Sequence, residues 1–160
     1  MHPMILFPFC KSTLALVAII LFQQVIGAVT VSRLTILDEK TNEEIASFEL
    51  EENGSFSISF VHSVNQSLVE EGYECRKGGI FLVSCLYRNF GAGVASEVPE
   101  NVLLQVMENG WMKITGLDLK MDYLAYIVGT VSDHVLRIDS QEYSLLGLCG
   151  RNRFILLVWR

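Results

Sequence analysis

Polar and apolar residues alternate strictly from Ser55 to His62 (SFSISFVH), with Phe56, Ile58, Phe60 and His62 on one side and Ser55, Ser57 and Ser59 on the other. Strand side chains switch faces at every residue, so this spacing predicts a half-buried β-strand whose apolar row ends in an imidazole. After a short link, Val69, Glu71, Tyr73 and Cys75 keep step and place a carboxylate on a second inward row. A tight hairpin centred on Gln66-Ser67 would set His62 opposite Glu71, Phe60 opposite Tyr73 and Ile58 opposite Cys75.

The same punctuation extends along the chain. Val29 to Leu37 and Glu44 to Leu50 read as strands joined by a polar turn. Asn53-Gly54 and Asn109-Gly110 are the pairs that favour two-residue hairpin turns, and Gly78-Gly79 separates strands 69–75 and 80–89. Phe90-Gly91-Ala92-Gly93 breaks the pattern and opens an irregular loop. Strands follow at 102–107 and 111–116, and Leu117 to Asp122 reads as a polar link. Tyr123 to Val131 is apolar on both faces, hence a buried strand or a short helix. His134 to Asp139 alternates, Ser140-Gln141 turns it back toward Tyr143, Leu145 to Cys149 fits either helix or strand, and Phe154 to Trp159 closes as a buried strand. About ten short strands without a long amphipathic helix predict an all-β domain, an antiparallel sandwich or a small barrel.

The first 28 residues stand apart. No charge occurs between Lys11 and Arg33, and Leu14 to Phe22 is unbroken apolar sequence followed by Val-Ile-Gly-Ala. This predicts a signal peptide or a membrane anchor over residues 1–28, with a single β domain over 29–160 outside the cytoplasm, secreted or held at the membrane. A length of 160 residues fits one domain, and 51% hydrophobic with 19% charged residues excludes a disordered chain. The net charge of −6 argues against binding nucleic acid. With Cys10 in the export segment, Cys75, Cys85 and Cys149 remain, an odd number. The turn at Gly78-Gly79 leaves Cys85 several residues out of register with Cys75, so no bridge between them is expected.

His62 and His134 each sit on an apolar row, and Glu71 shares one with Val69 and Tyr73. Two imidazoles and a carboxylate suit a divalent cation such as zinc, with Asp133 as a fourth ligand or a supporting partner. The same residues suit a buried hydrogen-bonded network, or a small-ligand pocket in which Ser63 and the backbone amides around Gly91 and Gly93 take part. Nucleophilic catalysis is disfavoured. Ser63 and His62 point to opposite faces of one strand, and Ser132 lacks the Gly-x-Ser-x-Gly elbow.

His62-Ser63-Val64 with Val69 and Glu71, then Phe90-Gly91-Ala92-Gly93, then Gly129 with Asp133-His134, together resemble the bacterial domain-of-unknown-function family eighteen-fifty. The resemblance spans about residues 56–136. Leu68 and Ala95 depart from it, standing where the family carries proline. Its members are small exported or membrane-anchored proteins, commonly encoded beside TRAP-type transporters of the TAXI subfamily. The resemblance implies an accessory role in solute uptake, with transporter subunits as partners, and no reaction. Two expectations follow: a non-catalytic extracytoplasmic accessory or ligand-binding protein, or a metal-dependent or hydrolytic enzyme using His62, Glu71 and His134.

Overall fold

The computed structural model describes residues 31–64, 66–88, 102–108, 110–129 and 132–160. The expected export segment and the loop with Gly91 and Gly93 lie outside these residues. The described chain forms β1 (Arg33–Asp38), β2 (Glu44–Glu49), β3 (Ser55–Val61), β4 (Leu68–Arg76), β5 (Gly79–Tyr87) and β6 (Leu103–Val106). Then come β7 (Met112–Met121), β8 (Leu124–Val128), β9 (Val135–Ile138), β10 (Gln141–Ser144), the single-turn helix α1 (Leu145–Cys149) and β11 (Arg153–Trp159).

Every strand pairing is antiparallel. One sheet has four strands in the order β2-β1-β11-β8, the other seven in the order β10-β9-β3-β4-β5-β7-β6. Alternation aims one row of each sheet at the other. Leu34, Ile36, Leu124, Val128, Ile155 and Leu157 from the smaller sheet meet Phe56, Ile58, Tyr73, Cys75, Ile80, Leu136 and Ile138 from the larger. The result is the expected all-β sandwich. Cys75, Cys85 and Cys149 are free thiols, and Cys75 pairs with Ile80 across the β4–β5 hairpin. Burial pushes the Cys75 thiol up to about 12.

Four local expectations change. The β3–β4 register pairs Val61 with Leu68 and Ile58 with Glu71, so the connection is a six-residue loop and His62 is not opposite Glu71. Asn53-Gly54 does not close a hairpin: β2 and β3 belong to different sheets. Asn53 takes φ 66° and its amide donates to the Cys75 carbonyl, so this turn carries the chain between layers. Leu117 to Asp122 is no link, since β7 runs on to Met121. Leu117, Leu119 and Met121 alternate with Asp118 and Lys120, and Asp118 accepts a hydrogen bond from Arg76 at 2.5 Å on the outer face. Strands β8 and β11, though apolar on both faces, are covered on one among the described residues. Ile155 and Leu157 are buried, whereas Phe154 and Ile127 are 47% and 42% exposed.

Asp38 locks the start of the smaller sheet. Its Oδ1 accepts the Lys40 and Thr41 amides and its Oδ2 accepts Arg153 Nε at 2.6 Å, joining the β1–β2 turn to β11. The Arg153 hydrogen bond first, then the Thr41 amide, holds the Asp38 carboxyl down at about 2.

Candidate functional site

Glu71 lies in a cross-strand row that reads Leu136, Ile58, Glu71, Cys85, Ile114 and Leu104 over β9, β3, β4, β5, β7 and β6. It is the one carboxylate in an otherwise apolar row that faces the opposing sheet. Glu71 is half-buried there, and a carboxylate partly withdrawn from water is stabilised by donors that replace its hydration. Two tyrosines supply them. Tyr73, two residues along the same face of β4, and Tyr126, from β8 of the opposing sheet, each donate to Glu71 Oε2 at 2.8 Å. The two hydroxyl oxygens are 2.9 Å apart, so three oxygens form a closed triangle between the sheets.

Burial, reinforced by the Glu71 charge, raises both phenols well above their ordinary range. They therefore remain protonated donors at any physiological pH. Cys85, beside Glu71 on β5, is pushed up to about 11 by burial and then by the same charge. No Lys or Arg forms an ion pair with Glu71 among the described residues.

His134 completes the niche. It stands just before β9, its carbonyl accepts the Leu145 amide, and its ring stacks on Phe60 at 5.1 Å and 26° and tilts against Tyr126 at 5.4 Å. Phe60 is the third inward residue of β3, so both sheets and the β8–β9 connection contribute. The His134 Nδ1 is buried and has no hydrogen-bond partner among the described residues. Burial lowers its pKa, while the charges of Asp133 and Glu71 pull the other way without prevailing. The ring is therefore neutral near pH 7, with an unused polar atom inside an aromatic wall.

The remaining expected residues do other work. His62 sits in the β3–β4 loop, where its Nδ1 accepts the Val64 amide at 3.3 Å. It lies four strand positions from the Ile58–Glu71 pair, roughly 13 Å along the strand. Ser63 is exposed in that loop, and its carbonyl accepts Gln66 Nε2. Asp133 Oδ1 accepts the Leu146 amide at 2.8 Å, fixing the first turn of α1. Ser132 Oγ accepts the Val61 amide at 3.0 Å and donates to the Asp133 carbonyl, tying the β8–β9 connection to the end of β3. Among the described residues no three His, Cys, Asp or Glu side chains stand close enough to hold a metal ion. Of the expected set, the structure brings Glu71 and His134 into one niche; Gly91 and Gly93 lie outside the described residues.

Alternation puts Phe60 and Tyr73 on inward rows and leaves Tyr126 in a segment apolar on both faces, without assigning any of them to a site. Tyr73 carries a usable signal, since a tyrosine two positions from a carboxylate on one strand face can reach it. Tyr126 carries none, because its role depends on how two sheets are superposed.

A protein family described as Domain of unknown function (DUF1850) matches residues 56–145, more than half of the chain. No curated protein and no solved structure matches it.

Proposed function

The chain belongs to the DUF1850 family, and on that premise we propose that it is a non-catalytic extracytoplasmic protein that binds a ligand as an accessory to TRAP-type solute uptake. Its ligand site is the niche of Glu71, Tyr73, Tyr126 and His134. The observation that carries this reading is the buried His134 Nδ1 without a partner. Buried polar atoms are almost always hydrogen-bonded, so an unpartnered one marks a place where a water, an ion or a ligand atom completes the bonding. Glu71 differs, being already satisfied by two hydroxyls, and so it fixes the aromatic wall in place.

Two serines named as possible nucleophiles are otherwise engaged among the described residues. The Ser132 hydroxyl is spent on backbone groups and Ser63 is exposed on a loop. The apolar run from Leu14 to Phe22 supports an exported domain, secreted or anchored. The competing reading, a zinc-dependent hydrolase using His62, Glu71 and His134, is favoured by no particular contact, since His62 accepts a loop amide instead of approaching Glu71.

Native mass spectrometry of the protein as purified tests the proposal. A small-molecule adduct is expected on the unaltered chain and absent from His134→Leu. The bare polypeptide mass in both would count against ligand binding, and one zinc per chain by elemental analysis would favour the hydrolase.

A further inference from the structure

The outer face of the smaller sheet has no role in the niche; its β1–β2 half carries Arg33, Thr35, Ser47 and Glu49, but its β11–β8 half is apolar where a solvated face is polar. On its β11–β8 side the outward row comprises Phe154, Leu156 and Val158 with Ala125 and Ile127, and it ends against Leu37 of β1, which is buried. Phe154, Ile127 and the neighbouring Tyr123 are 47%, 42% and 54% exposed. Scattered exposed apolar side chains are ordinary, but a contiguous row on adjoining strands marks an interaction surface.

Charge identifies the partner. The chain carries a net −6, yet from Tyr143 to Arg160 it holds three arginines and no Asp or Glu. At the Phe154 end of the row, Asp38, Lys40, Arg151, Asn152, Arg153 and Phe154 line a hollow of about 240 Å³. Asp38 and Arg153 neutralise each other there. Lys40 and Arg151 have no ion-pair partner among the described residues, so the hollow presents two uncompensated cations beside an exposed phenyl ring. At the other end of the row stand Arg33 and Arg160, which pair through their backbones. Glu39 adjoins Phe154 at one end and Glu49 stands opposite Arg33 at the other. An apolar, aromatic strip with unpaired Lys40 and Arg151 at its end still suits the interface of an anionic bilayer, where acyl chains take the rings and phosphates take the cations.

We infer that the β11–β8 face of the smaller sheet docks on an anionic lipid surface, with lipid phosphate seated between Lys40 and Arg151 and with Phe154 and Ile127 in the acyl boundary. This does not depend on the ligand niche, whose residues Glu71, Tyr73 and Tyr126 meet between the sheets and not on this face.

The test uses the chain as expressed, reconstituted into nanodiscs of phosphatidylcholine with or without phosphatidylglycerol. A photoreactive p-benzoylphenylalanine is placed at Phe154, at Ile127, or at Val106, which is 69% exposed on the edge strand of the other sheet. Lipid adducts several-fold more abundant at 154 and 127 than at 106, rising with phosphatidylglycerol and falling in Lys40→Glu/Arg151→Glu, are expected. Equal adducts at all three positions would overturn the inference. So would chain-to-chain crosslinks at 154 and 127 in place of lipid adducts, which would assign the face to a second copy. Ligand loss in His134→Leu reads the niche separately.

Discussion

Tyr73 and Tyr126 hold their protons beyond the usual phenol range because ionising either would bury a second negative charge beside Glu71. An unfolded chain releases those protons near pH 10, whereas the folded one retains them. The stabilisation is thus complete below pH 10 and is lost as pH rises beyond it. Absorbance at 295 nm should show Tyr73 and Tyr126 titrating late, with alkaline unfolding in step; Tyr126→Phe should make that pH dependence shallower. His134 runs the opposite way. Its folded pKa lies below the ordinary 6.5, so its contribution is present above that pH and declines as pH falls through 6.5 and below. Urea unfolding at pH 7.5 and pH 5.5 should show this decline, reduced in His134→Leu. Glu71→Ala strips both hydroxyls of their acceptor and should cost about 1–3 kcal/mol in the same assay. That Glu71 faces inward was legible from alternation alone. Its partners were not, because a six-residue loop replaces the tight hairpin and shifts the pairing by four residues. An even shift keeps every side chain on its own face, so the face was right while the neighbour was wrong.

The connections carry the next level of information. Gly129 ends β8 with φ 70°, and an added Cβ would stand 2.8 Å from Leu146 Cδ1. Left-handed backbone costs an L-residue roughly 1–2 kcal/mol before any clash. Gly129→Ala should therefore lower the urea midpoint by at least that equivalent, with an unchanged slope, and should displace the segment that delivers His134. The Asp38–Arg153 contact joins β1 to β11, and a carboxyl held near 2 contributes stability that is complete above the unfolded value near 4. That contribution fades as pH falls from about 4 toward 2, so acid unfolding of Asp38→Asn should begin at higher pH. Strand identity was readable at this scale wherever alternation was judged by itself. The charges of Leu117 to Met121 mask its strand period, although Asp118 is simply an outward strand residue. Asn53-Gly54 predicts only a reversal, because a turn dipeptide does not fix which sheet receives the next strand.

For the whole molecule, an all-β sandwich follows from many short alternating segments, but the division into four and seven strands does not. That division depends on β11, the last strand, inserting between β1 and β8, a pairing that spans nearly the whole described chain. The niche depends on the same superposition, because Tyr126 reaches Glu71 only when β8 lies over β4. A site assembled this way imposes a burden on the fold: one imidazole nitrogen left bare in the interior. Equilibrium urea unfolding of His134→Leu at pH 7.5 without added ligand measures that burden. Leucine removes the unpaired atom and fills most of its volume, so the variant should be at least as stable as the unaltered protein, by up to about 1–3 kcal/mol. A variant less stable by more than about 1 kcal/mol would mean that His134 serves the fold, and the case for a ligand site would fail.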